Sequence, residues 1–389
     1  MAELDSFHVT LVDGSVMESG GQILRNAVSI AAITKKPIEV YNIRAGRQNP
    51  GLRSQHAAAL ELVSRVCCGR LSSCAIGSTK IRLIPGQISP GSYEADAKTA
   101  GSVSLMLQAV APVLAFASSP SELLLRGGTD TSFAPPISYM VEVTSHYFRK
   151  MGLVCEVKIV RRGFYPLGGG IVKVLLSPLK EPLSPISLLN AGTVETVTGY
   201  FLVAGKVPLK IAHEVKDEAL RCLSKCFSCP INIDSFQESG DRCQGDVAAF
   251  MFVIHTSTDC RLAVSGIINP RGHRYRHMVS EACQSLYNYS KTGICCDDYM
   301  QDQVRLSYIN FRIMYSVINT DAFLFLTMNL CFHLSLTPCI KTISYVLLGL
   351  PTVCFQMFII ILMFVYVSSY NRIYIRNELL KNIFFVMLI

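Results

Sequence analysis

The chain has 389 residues, of which 50% are hydrophobic and 16% are charged, and it contains no Trp. This length accommodates two or three domains with a buried core. Residues 1–303 hold 30 of the 36 basic and 26 of the 28 acidic residues, whereas residues 304–389 consist largely of long apolar runs. The net charge of +8 is therefore shared between two chemically unlike parts. This composition excludes an intrinsically disordered chain and a chain that is soluble throughout its length.

The N-terminal residues and the cysteines indicate the compartment. Glu3 and Asp5 stand where a secretory signal would need a basic flank followed by an apolar run, so no secretory entry is expected. The 15 Cys are spread singly and in adjacent pairs, unlike the framework of a small secreted domain. We expect residues 1–303 to occupy a reduced cytosolic or nuclear compartment.

Strand and helix patterns alternate along the first 84 residues. Gly20-Gly21 opens a stretch whose apolar residues recur at helical spacing, and Pro50-Gly51 precedes another such stretch. Short runs between them have strand character. The predicted elements are a strand at 7–12, a helix from residue 20, a strand at 37–43, a helix at 52–67 and a strand at 80–84.

The same order recurs further along the chain, so we predict two similar βαβα units with extra strands, side by side. The elements of the second unit are helices at 102–116 and 136–151 and strands at 122–126, 153–160 and 171–177. Pro178, Pro182 and Pro185 mark a boundary. A module of mixed pattern follows from 186 to about 285, with a predicted strand at 248–255 and helix at 278–287.

Two segments of the first unit carry groups suited to phosphate. Glu18-Ser-Gly-Gly-Gln22 lies where a strand meets a helix, and amide groups at a helix N-terminus favour an anion. Arg44 and Arg47 lie in a loop punctuated by Gly and Pro and present two forked donors. The alternatives are a tight turn and a solvated loop.

His56 lies on the helix that follows the Arg44 loop, and a lone helical His is more often a satisfied, partly buried residue than a catalyst. The segments 127–136 and 163–170 are rich in Gly and Pro, which predicts rigid turns that shape the edge of a pocket. Neither turn specifies a reaction.

Cysteines of the second module have spacing that is compatible with a metal site. Cys222, Cys226 and Cys229 follow the spacing of some iron–sulfur sites, and Cys243 would complete a set of four zinc ligands. The sequence around them is unlike that of a cluster enzyme. Ordinary thiols are therefore the favoured interpretation.

Taken together, these stretches resemble the RNA 3'-terminal phosphate cyclase family. The resemblance runs in order across about residues 7–303, and Asn49 departs from it because the family usually has Lys there. Six segments carry it: Glu18 to Arg25, Ile43 to Leu52, Gly101 to Gln108, Gly127 to Asp130, Gly163 to Gly170, and Asp298 to Gln303.

The resemblance implies an α+β fold of repeated βαβαββ units with an inserted small α+β domain. We accordingly expect a cyclase core at 1–184, an insert domain at 185–285, a return to the core at 286–303 and a divergent hydrophobic helical tail at 304–389. It also implies a nuclear, nucleoplasmic or cytosolic protein.

The resemblance further implies ATP-dependent conversion of an RNA 3'-terminal phosphate to a 2',3'-cyclic phosphate through adenylylated intermediates. ATP and Mg²⁺ or another divalent cation are the implied cofactors, and RNA 3' ends are the implied partner. By the same resemblance, Glu18 is on the metal side. The adenylate pocket contains Gln108, Pro135, Tyr299, Asp302 and Gln303, and the RNA-phosphate side contains Arg25, Arg44, Arg47, Gln55 and His56.

The family's nucleophilic His is not matched in this chain. The family places it a short way after Gln303, in a motif rich in Thr, His and small residues. Here the nearest His is His333, whose neighbours are apolar, and a passive side chain is the favoured interpretation. The catalytic nucleophile is therefore unassigned.

The tail has two interpretations. Residues 322–340 and 342–371 contain no charged residue, and each run is long enough to cross a bilayer core, which needs roughly 20 residues. Basic residues flank the pair, so a membrane hairpin across 322–371 with both ends in the cytoplasm obeys the positive-inside rule. The final residues equally suit the translation of AT-rich noncoding sequence, as in an alternative or misread exon.

Three functions follow from these observations. The leading hypothesis is an ATP-dependent RNA 3'-phosphate cyclase, or an inactive form with an altered C-terminal part. The alternative is a noncatalytic RNA-binding protein of the same fold that serves in ribosome assembly. A membrane-tethered regulator rests on the tail alone.

Overall fold

The computed structural model describes residues 9–16, 20–181, 183–184, 186, 188–268, 275–301 and 303. The strands are β1 (Thr10–Asp13), β2 (Ile38–Tyr41), β3 (Arg70–Ser72), β4 (Ile81–Ile84), β5 (Ser92–Asp96), β6 (Ser121–Gly127), β7 (Cys155–Gly163), β8 (Gly170–Leu176), β9 (Val194–Ala204), β10 (Ile231–Gln237), β11 (Cys243–Gln244), β12 (Val247–Thr256) and β13 (Arg261–Ile268). The helices are α1 (Gly21–Thr34), α2 (Ser54–Val66), α3 (Val103–Leu114), α4 (Ile137–Tyr139), α5 (Ser145–Lys150), α6 (Leu209–Cys226) and α7 (Tyr275–Thr292), with a π-helical turn at Met140–Thr144 between α4 and α5.

The first two sheets repeat one topology. The first sheet has the order β1-β2-β4-β3, and the second has the order β5-β6-β8-β7 with β11 added beyond β7. In the four strands that the two sheets share, the first two are parallel and the later pairs are antiparallel, and the added β11 is parallel to β7. Helices cross between the strands in the order βαβαββ. The predicted repeat of βαβαββ units in an α+β fold is therefore confirmed.

Helices α1, α2 and α3 pack together and carry much of the core. The face of α1 that contains Leu24 and Val28 is buried, as its helical spacing predicts. The hydroxyl of Ser29 donates a 2.6 Å hydrogen bond to the carbonyl of Ala109 on α3. Because Ser29 is fully buried, this bond satisfies a polar group at the contact of the two units.

A third sheet lies within residues 194–268, with the order β10-β9-β12-β13. Phe201, Phe250 and Phe252 pack ring against ring on the face covered by α6 and α7. This sheet and its two helices form a small α+β module inside the region where an insert is predicted. The domain boundaries at 184, 285 and 303 remain predictions.

The structure adds elements to those expected. The first strand begins at Thr10 instead of residue 7, and residues 1–8 lie outside the described part. The predicted helix at 136–151 contains the π-helical turn. The elements not foreseen are β3, β5, β9, β10, β11, β13 and α6.

The hydrophobic tail at 304–389, including the predicted hairpin at 322–371, lies outside the described residues. Within the described ranges, no helix is both long enough and apolar enough to cross a bilayer.

Candidate functional site

The N-terminus of α1 gathers residues that are far apart in sequence. A Cβ atom on Gly21 would lie 2.5 Å from Nε2 of His56 and 3.3 Å from Nη1 of Arg25. A Cβ atom on Gly20 would lie 3.5 Å from Nη2 of Arg47. The two glycines thus let cationic groups and an imidazole approach the backbone at a helix start, where amide groups already favour an anion.

His56 is neutral and its orientation is fixed. The backbone amide of Arg53 donates a 3.1 Å hydrogen bond to Nδ1, so the proton of the neutral ring is on Nε2, the atom beside Gly21. Burial, followed by the charges of Arg44, Arg25 and Arg53, lowers the pKa of His56 to about 3. At neutral pH His56 therefore offers an uncharged N–H donor at the start of α1.

Arg44 fixes its own loop. It has a positive φ of 56°, and its Nη1 donates to the carbonyls of Asn49 at 2.9 Å and Gly51 at 2.8 Å. Burial, then the neighbouring Arg53 and Arg47, lowers the pKa of Arg44. The family usually has Lys at the position of Asn49. The hydrogen bond from Arg44 uses the backbone carbonyl of Asn49, which any residue type could supply. Arg44 is thus part of the loop's framework as well as a source of positive charge.

Gln55 joins the two βαβαββ units. Its Oε1 accepts a 2.8 Å hydrogen bond from the backbone amide of Ser102, the residue before α3. Gly101 packs so closely that a Cβ atom there would lie 2.7 Å from Cβ of Gln55. The site residues on α2 are therefore held against the start of α3.

The residues predicted for an adenylate pocket lie on three elements. Gln108 is on α3 and is 8% exposed, and Gln303 is 6% exposed. Pro135 comes just before α4, whose Tyr139 ring meets the edge of the Tyr299 ring at a centroid distance of 5.3 Å. Tyr299 therefore packs against α4, the helix that follows Pro135. The grouping of Gln108 with them stays a prediction, and Asp302 and Glu18 lie outside the described residues.

Comparisons with known proteins identify the family of this chain. The sequence model described as RNA 3'-terminal phosphate cyclase matches residues 16–319. The chain belongs to this family. It is 35% identical over 295 residues to the RNA 3'-terminal phosphate cyclase of Methanopyrus kandleri, an alignment that covers 75% of this chain and 83% of that protein.

Eukaryotic relatives are similar to a comparable degree. The chain is 36% identical over 301 residues to the probable RNA 3'-terminal phosphate cyclase of Dictyostelium discoideum, covering 75% of this chain and 68% of that protein. It is 33% identical over 320 residues to the RNA 3'-terminal phosphate cyclase of Drosophila melanogaster, covering 82% and 87%. As a member of the cyclase family, the chain belongs among RNA-processing proteins.

Asp297 anchors the segment that carries Tyr299 in this cyclase-family chain, and sequence reasoning did not single it out. Its Oδ1 accepts bonds from the Tyr139 hydroxyl and, at 3.0 Å, from the Met300 amide, while Oδ2 accepts from the Ala263 amide at 2.8 Å. Burial raises the pKa of Asp297, and these donors oppose that effect. The structure shows a short helical turn at residues 298–301, and Asp297 acts as its N-cap, which was the available sequence signal.

A second buried carboxylate, Asp130, was foreseen only as part of a rigid loop. Its Oδ2 lies 3.4 Å from Nη1 of Arg162, whose Nε lies 3.3 Å from Oε1 of Glu238 and whose Nη2 donates to Ser138 at 2.9 Å. The guanidinium also lies 5.6 Å from the ring centre of Tyr200. Burial raises the pKa of Asp130, and Arg162 acts against it. The cluster joins the second sheet to the third.

The four cysteines with metal-like spacing lie in two different cores. Cys222, Cys226 and Cys229 pack at the core of the third sheet, whereas Cys243 on β11 packs beside Phe164. Among the residues that the structure describes, no group of three or more candidate ligands is arranged to hold a metal ion.

Proposed function

We propose that this chain binds the phosphorylated 3' end of RNA at the start of α1 and, with ATP, converts it to a 2',3'-cyclic phosphate through adenylylation. The observation that carries this proposal is the convergence of Gly20, Gly21, Arg25, Arg47 and His56 in a member of the cyclase family. Glycines, cations and a neutral donor around a helix N-terminus suit a terminal phosphate, which carries more charge than an internal phosphodiester.

Each group has a distinct role in this proposal. The guanidinium groups of Arg25 and Arg47 offset the charge of the phosphate oxygens. Nε2–H of His56 donates to one of those oxygens, and its neutral state avoids adding a further cation to the cluster. Arg44 keeps the loop that carries Arg47 in place. These side chains orient the phosphate, which is the positioning that intramolecular attack by the 2'-hydroxyl requires.

ATP supplies the adenylyl group that turns a phosphate oxygen into a leaving group, and a divalent cation such as Mg²⁺ offsets the charge of the phosphates. The buried amide of Gln108 and the ring of Tyr299 are the proposed contacts for the adenylate, together with Pro135, Asp302 and Gln303. We also propose the carboxylate of Glu18 for the metal side.

One observation favours a second candidate function. The family's nucleophilic His has no matched counterpart, and His333 lies beyond the residues 16–319 that match the family. A chain with the RNA surface but without the nucleophile would act as a noncatalytic RNA-binding protein. This is the function expected of an inactive form with an altered C-terminal part.

One experiment separates the two functions. The full chain is incubated with ATP, Mg²⁺ and labelled RNA that ends in a 3'-phosphate, and cyclic ends are scored by their resistance to phosphatase. RNA that ends in a 3'-hydroxyl is the control for binding. A cyclic product supports the enzyme, whereas preferential binding of 3'-phosphate RNA without product supports the noncatalytic protein. Equal affinity for the two RNAs without a cyclic product would contradict both.

A further inference from the structure

Two adjoining loops expose aromatic side chains to solvent. Among the large hydrophobic residues that the structure describes, the two most exposed are Phe133, at 101%, and Tyr165, at 83%, and Leu167 is 59% exposed. Phe133 lies between β6 and α4, and the other two lie in the turn between β7 and β8. Single exposed apolar side chains are common, whereas several grouped on adjoining loops are typical of an interaction site.

The backbone beneath these side chains is fixed by hydrogen bonds. The amide of Thr129 donates to the carbonyl of Gly163 at 2.8 Å, and the amide of Gly163 donates to Oγ1 of Thr129 at 3.1 Å. The amide of Gly168 donates to the carbonyl of Phe164 at 2.7 Å and closes the turn that carries Tyr165. Both rings are therefore presented by ordered loops, which lowers the entropic cost of binding.

Phe133 also has a strained backbone conformation. Its φ is +62°, in the left-handed region that bulky residues seldom adopt. Strain of this kind persists where the surrounding structure imposes it, and it is concentrated at functional sites. Here the strain accompanies full exposure of the ring.

The two loops pack on the segment before α3, which also contacts Gln55, the neighbour of His56. A Cβ atom on Gly168 would lie 2.6 Å from the carbonyl oxygen of Thr99, so the turn packs on the segment that enters α3. Three residues further along, Ser102 donates to Gln55, the neighbour of His56. The loop of Phe133 is tied to the same segment, because the amide of Gly128 donates to Gly101 at 2.7 Å.

Positive charge accompanies this path. Lys98 is exposed and immediately precedes Thr99, and Nε of Arg161 donates to the carbonyl of Gly169 at 2.7 Å at the base of the turn. Cations interleaved with exposed rings are the features that bind single-stranded nucleic acid, whose phosphates contact the cations and whose bases stack on the rings. An apolar protein partner would not require the cations.

We propose that Phe133 and Tyr165 are stacking positions for unpaired bases of the RNA upstream of its 3' terminus, with Leu167 as an apolar side contact. This inference rests on the proposed function, because it extends the path of the RNA whose terminal phosphate lies at the start of α1. Stacking accepts any base, so the surface selects single-stranded RNA without sequence preference.

The test uses the full chain and fluorescence anisotropy with two labelled RNAs that end in a 3'-phosphate, a dinucleotide and a dodecamer. Phe133→Asn keeps a residue that tolerates positive φ, and Tyr165→Ser removes the second ring. We expect each variant to bind the dodecamer about five- to tenfold more weakly, the lower end of a lost base stack. Binding of the dinucleotide should not change.

Ring-retaining variants and a distant site provide the controls. Phe133→Tyr and Tyr165→Phe should restore dodecamer binding, and Leu189→Ser, which removes a side chain that is 55% exposed, should have no effect. Unchanged dodecamer binding in the Asn and Ser variants would overturn the proposal. Equal weakening of both RNAs would overturn it as well. A separate result bears on the proposed function. If the unaltered chain bound 3'-phosphate and 3'-hydroxyl RNA equally well, the proposed function would be contradicted.

Discussion

At the start of α1, burial and then the charges of Arg44, Arg25 and Arg53 lower the pKa of His56. In the interior, by contrast, Arg162 lies between the carboxylates of Asp130 and Glu238. Charges of one sign placed near each other repel, and the interior cluster avoids this by holding its own carboxylates. At the start of α1, a bound phosphate would add negative charge beside these cations and the helix N-terminus. The difference predicts that changes in the interior cluster reduce stability, while changes at α1 reduce binding.

The largest expected effect comes from breaking the interior cluster. Arg162→Met should lower the free energy of unfolding by about 3–5 kcal/mol, because it leaves the buried carboxylate of Asp130 without its cation. Urea denaturation at neutral pH measures the loss. The double variant Asp130→Asn with Arg162→Met should recover part of it. Equal stability of the single and double variants would show that the two side chains are not coupled.

The next effect concerns the pH dependence of stability. Folded His56 has a pKa of about 3, below the ordinary 6.5, so the unfolded chain binds more protons between these values. Neutral His56 therefore makes its full contribution to the free energy of unfolding above pH 6.5. As the pH falls well below 6.5, that free energy decreases by about 1.4 kcal/mol for each pH unit, down to the folded pKa of about 3. His56→Gln, which keeps an acceptor for the Arg53 amide, should flatten the curve from pH 7 to about pH 5. Parallel curves for the two proteins would contradict the buried neutral His.

A smaller effect should separate binding from stability. Arg47→Ala should weaken binding of 3'-phosphate RNA by about tenfold and reduce the salt slope by about 0.7, the value for one phosphate contact on a single strand. Unfolding should be unaffected, in contrast to Arg162→Met. Lys206→Ala, which removes one exposed cation from the third-sheet module, is the matched control. If both variants lost RNA affinity to a similar extent, Arg47 would act only through the net charge of the chain.

The smallest effect is expected at the proposed adenylate pocket. Gln108→Ala should weaken ATP binding by about 1 kcal/mol, because it removes one positioned hydrogen-bond partner. Calorimetric titration of the full chain with ATP measures the change, and RNA binding without ATP is the control. An unaltered ATP affinity would exclude Gln108 from the pocket.

The sequence predicted the local elements of the repeat but not its long-range pairs. Helices α1, α2 and α3 have clear apolar spacing, and their predicted positions agree with the structure to within a few residues. β5 was missed because it reads Ser-Tyr-Glu-Ala-Asp, and only Ala95 among these residues is buried. β11 has just two residues and exists through pairing with β7, which no local pattern reports.

From residue types alone, the candidate site was predicted as separate segments, and only the family resemblance grouped them. The glycine pair, the Arg44 loop and His56 were each recognised from residue type and punctuation, but their meeting around Gly21 depends on the packing of α1 against α2. The partner of Asp130 could not be foreseen, because Arg162 follows it by about thirty residues and Glu238 comes from the third-sheet module. Asp297 was missed because its role depends on Tyr139 and Ala263, which lie in distant segments.

The pairing of β11 with β7 can form only late in the synthesis of the chain. Cys243 and Gln244 complete an edge whose other residues, Arg162 and Gly163, emerge from the ribosome about eighty residues earlier, and the Arg162 amide bonds to the carbonyl of Arg242 at 2.8 Å. Until then the Arg162–Gly163 end of β7 has no strand beside it and is available to a neighbouring nascent chain. We expect chains that stall between these points to associate through that edge, and the module of the third sheet to act as its cover once translated.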